Sequence, residues 1–167
     1  TRHYIDKKVD KSLLDEMLSA ANLAPSWKNS QTPRFYVATG EKSKDAVREA
    51  LPEFNRKNSE NASAYIVTTV VLNRSGFDKD GTAVTEIGNG WGYYDLGLNN
   101  MALLLKATEL GISTLVMGIR DGEKLRKEFD IPETEAVVSV ITVGYTDSEI
   151  VRPKRKSVED FAKFYED

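Results

Sequence analysis

The stretch Ala24-Pro25-Ser26-Trp27-Lys28-Asn29-Ser30-Gln31-Thr32-Pro33 separates an apolar run with helical spacing from the strand-like segment 34–39. Pro25 cannot continue a helix and moves the preceding residue out of the helical region, so the backbone must form an irregular loop here. The loop offers hydroxyl, amide and ammonium groups together with the flat indole of Trp27. An ordinary helix-to-strand connection and a ligand-binding loop both fit this composition.

The composition is that of a soluble globular protein, since 40% of the 167 residues are apolar and 29% are charged. The formal net charge of -3 argues against nucleic acid or an anionic membrane surface as the main partner. No apolar run approaches the ~20 residues that a membrane helix needs, and the first residues show no signal-peptide pattern. The absence of cysteine excludes disulfides and thiolate chemistry, and we therefore expect a cytoplasmic protein.

The pattern of apolar residues predicts one α+β domain over residues 1–167, with at least four strands and about five helices. Runs of β-branched and aromatic residues predict strands at 34–39, 65–72, 112–119 and 136–145. Helical spacing and capping residues predict helices at 10–24, 43–51, 93–110 and 121–129, and a final helix from Ser157. Segment 52–61 is predicted to be a loop or a weak helix.

A long connection is predicted over residues 73–90, and loops of this length in a compact domain usually serve as lids or binding elements. Its end, Gly88-Asn-Gly90-Trp-Gly92, superficially resembles a phosphate-binding glycine loop. No strand directly precedes it and Tyr93 stands where the third glycine belongs, so we reject that interpretation. We interpret it as a flexible segment around Trp91.

The helix predicted over 93–110 has a narrow polar stripe formed by Asp95, Asn99, Lys106 and Glu109. The remaining circumference is a wider apolar arc than packing against one sheet requires. Two arrangements fit this pattern. The helix is either central in a monomer and buried on most sides, or it covers the sheet with one side and meets a second subunit with another.

Few residues could ligate a transition metal or act as a nucleophile, because the chain has one histidine, His3, and no cysteine. The acidic residues form no spaced motif and fit a solvated surface, so we expect no metal site. Cations near both ends, Arg2 and the cluster at 152–156, are more informative. Clustered arginine and lysine occur on solvated surfaces and also at phosphate-binding sites.

Several segments, taken in order, resemble the FMN-dependent nitroreductase family over nearly the whole chain. Thr1-Arg-His-Tyr4 is similar to the end of the family's opening Arg-Ser-x-Arg segment, and residues 25–35 are similar to its Pro-Ser-x-x-Asn-Ser-Gln-Pro-Trp-x-Phe signature. The second half resembles the family at Leu104-Leu-Lys-Ala107 with Leu110-Gly111, at the strand to Met117-Gly118, at Val143-Gly-Tyr145 and at Arg155-Lys-Ser-Val-Glu159.

Two departures from the family pattern concern the substrate site more than the cofactor. Trp27 stands where many members have a small residue, and Thr32-Pro33-Arg34 replaces the commoner Pro-Trp-x. A bulky indole beside a bound ring is expected to narrow the substrate site.

The resemblance implies a mixed, mainly antiparallel central sheet flanked by helices, in an intertwined homodimer with FMN bound between the subunits. It also implies an NAD(P)H oxidoreductase that transfers hydride in two steps through the flavin to a nitroaromatic, a quinone or a similar acceptor. A non-catalytic flavin- or ligand-binding module, acting as a sensor or a store, is the alternative. No side chain is expected to be an essential acid or base.

By position, the resemblance also assigns the cofactor-binding residues. Arg2 would lie near the ribityl chain or the N1 and O2 edge of the ring, where a cation stabilises the charge of the reduced flavin. The phosphate would be held by Arg155, with help from Arg152 or Lys154. The partner subunit would contribute Pro25, Ser26, Trp27 and Asn29. The pyrimidine would contact Asn55, and the reactive edge of the ring would face Val116, Met117 and Gly118.

Overall fold

The computed structural model describes residues 1–166 as a four-stranded sheet with helices on both faces. The strands lie in the spatial order β1-β2-β4-β3, where the labels denote β1 (Pro33–Ala38), β2 (Ala64–Val71), β3 (Ser113–Met117) and β4 (Glu135–Gly144). All three strand pairs are antiparallel, and a register shift between Thr68 and Thr69 interrupts the pairing of β2 with β4. The predicted α+β class is therefore confirmed.

Five helices cover the sheet: α1 (Lys11–Asn22), α2 (Glu41–Glu49), α3 (Glu53–Asn58), α4 (Gly90–Glu109) and α5 (Gly122–Glu128). α1 packs against α4 on one face, where Met17 and Leu103 are buried with Ile66 of the sheet. α2 and α5 pack on the other face, where Val47 and Leu125 are buried. No helix within residues 1–166 is long and apolar enough to cross a lipid bilayer.

The four predicted strands are confirmed, because their sequence patterns reflect burial in the sheet. β2 is central and is buried from Ala64 to Val70, which explains its uninterrupted run of β-branched residues. The predicted cap of α5 is also present, since the Lys124 backbone N–H donates to Asp121 Oδ1 at 3.0 Å.

The predicted final helix is wrong, since only one 3-10 turn forms, at Val158–Asp160. The capping box of Ser157 and Asp160 is present, but residues 161–166 are exposed apart from the half-buried Ala162, and none of the six belongs to a core cluster. A short helix needs packing against a core to be stable, because helix nucleation is costly. Segment 52–61, in contrast, does contain the short helix α3.

The interpretation of Gly88 to Gly92 as a flexible segment is also wrong, because α4 begins at Gly90 and includes Trp91. Gly92 is buried where α4 crosses β2 at close range. A Cβ atom added at Gly92 would lie 2.9 Å from Val70 Cγ2, so only glycine allows this approach.

The polar and apolar faces of α4 are the reverse of an ordinary amphipathic helix over part of its length. Asp95 and Asn99 are only 2% and 6% exposed, whereas Met101 and Leu105 are 52% and 58% exposed. Within one chain, α4 is therefore covered except along an exposed stripe that includes Met101 and Leu105, and contact of this stripe with a second subunit stays a prediction. The chain leaves an apolar surface of α4 uncovered.

The long connection between β2 and α4 is closed at its base by a pair of asparagines. The Asn73 backbone N–H donates to Asn89 Oδ1 at 2.7 Å, and Asn89 Nδ2 donates to Asn73 Oδ1 at 2.9 Å. The connection also packs on Trp91, whose indole N–H donates to Thr85 Oγ1 at 2.8 Å. Gly76 lies against the same indole.

A pair of glycine substitutions tests this packing. Gly76 and Gly81 have φ values of +85° and +84°, so alanine at either position incurs a similar backbone cost of about 1–2 kcal/mol. At Gly76 alone, the new Cβ would lie 2.6 Å from the Gly88 carbonyl oxygen and 2.7 Å from Trp91 Cδ1. We expect Gly76→Ala to lower the free energy of unfolding in urea by at least ~1 kcal/mol more than Gly81→Ala. Gly76→Ala should also shift tryptophan emission, and equal effects of the two changes would contradict this packing.

Candidate functional site

The loop between α1 and β1 has a constrained backbone. Residues Trp27–Asn29 form a 3-10 turn, and Lys28, Asn29 and Gln31 have φ values of 46°, 55° and 49°. Non-glycine residues adopt this left-handed region at a cost of roughly 1–2 kcal/mol each. Three such residues within four positions require contacts from the surrounding structure that hold them in place.

A buried carboxylate from α4 supplies such contacts. The Trp27 backbone N–H donates to both oxygens of Asp95, at 3.2 and 3.1 Å. The hydroxyl of Ser75, in the long connection, also donates to Asp95. Ser75 Oγ lies 2.6 Å from Ser30 Oγ, so the same network reaches the far end of the turn.

Aromatic side chains pack beside this network. The ring centroids of Trp27 and Trp91 are 4.7 Å apart at an interplanar angle of 47°, and Tyr94 meets Trp91 edge-on at 5.8 Å. Trp27 Nε1 is buried and has no hydrogen-bond partner within residues 1–166. It is therefore a donor that a bound molecule or another chain could satisfy.

A cavity of about 320 Å³ opens next to the loop. Its lining combines polar groups of the loop and α4 with apolar side chains of α1 and β1, and it includes Ser26, Gln31, Asn99, Leu18 and Phe35. The Ser26 hydroxyl accepts a hydrogen bond from the Gln31 backbone N–H at 3.0 Å, which closes the loop over this side. The arrangement is suited to a ligand with both polar and apolar parts.

A second group of predicted site residues lies along β3. Val116 is 46% exposed and Gly118 is exposed, whereas Met117 is 2% exposed and its side chain belongs to the core. Asn55 is buried on α3 and donates through Nδ2 to the Ile119 carbonyl at 3.1 Å. Met117 can therefore offer only its backbone to a ligand.

The predicted cations lie in exposed segments at the two ends of the chain. The Thr1 ammonium donates to the Thr114 carbonyl of β3 at 3.4 Å. The backbone of the next residue, the exposed Arg2, therefore lies close to this strand. Arg152, Lys154 and Arg155 are exposed in the segment after β4. None of these four cations forms a salt bridge in the part of the chain that the structure describes.

The loop and the β3 group lie at the same end of the sheet but at opposite edges. Tyr36 of β1 pairs with Val67, Val67 with Val140, and Val140 with Met117 of β3. The end of β3 is therefore level with Tyr36, near the middle of β1, and β3 runs toward the end of the sheet at which β1 begins, with two strands between them. One chain does not bring Pro25, Ser26, Trp27 and Asn29 together with Val116, Met117 and Gly118.

Sequence reasoning missed Asp95 and Ser75 as residues of the site. The sequence pattern assigns Asp95 to the polar stripe of a helix, which suggests exposure to solvent. Ser75 belongs to the long connection, whose sequence has no periodicity that would indicate burial. The available signal was weak: Asp95 falls one helical turn after Trp91 and one turn before Asn99, so the three side chains share a face.

A second buried carboxylate, Glu135, lies on the other face of the sheet and has a structural role. Tyr36 donates to it at 2.9 Å, and Thr69 also donates to it, so the group joins β1, β2 and β4. Burial, followed by the hydrogen bond to Glu135, raises the pKa of Tyr36 to about 12. No group of three or more histidine, aspartate or glutamate side chains in residues 1–166 is placed to hold a metal ion.

Comparisons with known proteins agree with this architecture. A protein of Archaeoglobus fulgidus, named for NADH dehydrogenase/NAD(P)H nitroreductase activity, is 27% identical over 155 residues, which cover 89% of this chain and 80% of that protein. A nitroreductase family protein from Streptococcus pneumoniae superposes with a TM-score of 0.83 at 23% identity, covering 99% of this chain and 94% of its own.

Two further solved structures share the fold. A gut-bacterial enone reductase superposes with a TM-score of 0.84 at 20% identity, covering 98% of this chain and 91% of its own. An oxidoreductase containing FMN superposes with a TM-score of 0.76 at 24% identity, covering 88% of this chain and 72% of its own. The sequence model of the nitroreductase family matches residues 1–145, which is most of the chain. The protein therefore belongs to the nitroreductase family, and its oxidoreductase class follows from that membership.

Proposed function

We propose that the protein is an FMN-dependent NAD(P)H oxidoreductase that acts on a nitroaromatic, a quinone or a similar acceptor. The main support is the division of the candidate site into two groups at one end of the sheet, on opposite edges. Such a division fits a cofactor bound between two copies of the chain. The names of the Archaeoglobus relative and of the FMN-containing structural neighbour point to the same chemistry.

The residues present fit FMN. Trp27 offers an indole face and a buried donor without a partner, and Ser26 borders a cavity with mixed polar and apolar lining. The exposed cations Arg152, Lys154 and Arg155 suit a phosphate, with Arg155 as the main ligand. When bound, FMN supplies hydride transfer between a reduced nicotinamide and an electron acceptor.

The chain's own residues would bind and orient the flavin. Val116 and Gly118 would present their backbone toward the reactive edge of the ring, and Met117 would contribute only main-chain atoms, since its side chain is in the core. Asn55 would offer the pyrimidine Oδ1 and the second N–H of Nδ2, whose first N–H donates to the Ile119 carbonyl. Arg2 would place positive charge near the ring, while Pro25, Ser26, Trp27 and Asn29 reach the flavin from the other subunit.

We propose a homodimer because two apolar surfaces are uncovered in the single chain. One is the outer face of α4, with Tyr94, Met101 and Leu105. The other is the segment after β4, where Phe161, Phe164 and Tyr165 are 70%, 76% and 85% exposed. A second copy that covers both surfaces would produce an intertwined dimer.

The remaining parts of the proposal concern organisation and location. We place residues 1–167 in a single flavin-binding domain, with small molecules rather than nucleic acid or membrane as the other partners. The net charge of -3 supports this choice of partners. The lack of cysteine supports a cytoplasmic location.

An absorption experiment tests the proposed activity. Purified protein incubated with FMN and then desalted should retain flavin absorbance, and NADH or NADPH should bleach it under anaerobic conditions. The rate at which the reduced flavin is reoxidised should then be compared for three acceptors, a nitroaromatic, a quinone and an α,β-unsaturated ketone. The ketone is suggested by the enone reductase neighbour. Failure to retain FMN would refute the proposal. Retained flavin that neither nicotinamide bleaches would instead indicate the non-catalytic binding module.

Substitution of Arg155 tests the phosphate assignment. Removal of a charge-assisted hydrogen bond should weaken FMN binding by about tenfold or more in Arg155→Ala. Riboflavin, which lacks the phosphate, should bind equally well to the variant and to the original protein. Lys156→Ala removes the neighbouring exposed cation and serves as the matched control in the same titration. Equal weakening of both ligands would contradict the assignment.

Substitution of Leu105 tests the shared site. Leu105→Glu places a charge on the exposed face of α4 without disturbing the core and should release monomer and FMN together. Phe54→Glu is the matched control, because Phe54 is 54% exposed but lies on α3 and not on α4. Light scattering after gel filtration gives the mass. A monomer that retains FMN, or a dimer unaffected by Leu105→Glu, would argue against a site built by two chains.

A further inference from the structure

Asp95 connects three segments that are far apart in the sequence. It lies on α4 and is 2% exposed, it accepts from the Trp27 backbone in the loop, and it accepts from Ser75 in the long connection. Ser75 is itself 1% exposed and lies 2.6 Å from Ser30 and 3.4 Å from Thr32, measured between hydroxyl oxygens. The loop is thus held both before and after its turn.

No cation compensates this carboxylate within the part of the chain that the structure describes. The salt bridges there involve other acidic residues, most of them exposed. A buried carboxylate without a cation is costly unless hydrogen bonds satisfy its oxygens. At Asp95 these donors are the loop N–H and the Ser75 hydroxyl, so the carboxylate and the loop conformation depend on each other.

We propose that Asp95, acting with Ser75, is the positioning residue of the ligand-binding loop. The hydrogen bonds from Asp95 fix the orientation of the Trp27 peptide, from which the chain continues through the left-handed residues Lys28 and Asn29. The contact between Ser75 and Ser30 fixes the chain again after these residues. Trp27 is thereby held with its indole against Trp91. This inference rests on the proposed function, because it assigns the loop to the flavin site.

The test compares Ser75→Ala and Asp95→Asn with Ser139→Ala. Ser139 is a matched control, since it is 5% exposed and its hydroxyl oxygen lies 2.8 Å from that of Thr68, in the interior of the sheet. Loss of a buried hydroxyl should lower the free energy of unfolding in both serine variants, and by more in Ser75→Ala, because that change also removes a donor to the Asp95 carboxylate. Only Ser75→Ala and Asp95→Asn should raise the Kd for FMN, by about tenfold.

A spectroscopic measurement reports the loop without any cofactor. The chain has two tryptophans, Trp27 and Trp91, and their indoles are close enough for their electronic transitions to couple in circular dichroism. This coupling should give a pair of bands of opposite sign in the circular dichroism spectrum, called the paired band below. The paired band should weaken in Ser75→Ala and Asp95→Asn and persist in Ser139→Ala. It should also be absent in Trp91→Phe, which establishes its origin.

The outcomes separate this inference from the proposed function. If the original protein binds FMN but both variants keep its affinity and the paired band, the inference is overturned. It is also overturned if Ser139→Ala loses affinity equally. If the original protein does not bind FMN, the proposed function fails, and the paired band still decides whether Asp95 positions the loop. If Asp95→Asn does not fold, Ser75→Ala gives the answer alone.

Discussion

The width of the sheet is the constraint on which the rest of this structure depends. β1 and β3 are its edges, with β2 and β4 between them, so three inter-strand spacings of ~4.8 Å separate the edges by about 14 Å. The loop that begins at Pro25 leads into β1, and Val116 to Gly118 end β3. A single chain therefore keeps the two groups of candidate residues on opposite edges of the sheet, and the proposed second copy would bring them together by covering the exposed apolar surfaces.

α4 contributes both to the candidate site and to the exposed apolar surface. Its buried Asp95 holds the loop, while the adjacent Tyr94 is 60% exposed on the outer surface with Met101 and Leu105. One helix therefore carries both the carboxylate that holds the loop and the apolar surface that the proposed second copy would cover.

The sequence was sufficient for features that depend on local chemistry. Continuous runs of β-branched residues predicted β2 and β4, because central strands are buried on both faces. Pro25 predicted the loop, because the proline ring cannot be accommodated in the continuation of a helix. The resemblance also placed the family correctly. The cofactor-binding role of each residue, from Arg2 to Arg155, stays a prediction.

The features that sequence reasoning missed depend on contacts between distant residues. Helical periodicity gives the angles between side chains on α4 but does not say which face meets the loop, and Trp27 lies 68 positions before Asp95. The close approach of α4 to β2, where Gly92 meets Val70, is likewise a contact between residues distant in the sequence. The prediction of a final helix failed for the converse reason, because its capping box is a local feature and residues 161–166 join neither core cluster.

The structure shows how the bulky Trp27 is accommodated at a position where the family resemblance led us to expect a small residue. Its backbone N–H is bound by Asp95 and its ring packs on Trp91, whose own N–H binds Thr85 in the long connection. The cavity beside the loop is lined by Ser26 and Gln31 but not by Trp27. The volume of the indole is therefore accommodated against α4, where it ties the loop to the long connection. Within one chain, the cavity bordered by Ser26 does not include the indole, and the expected narrowing of a substrate site stays a prediction.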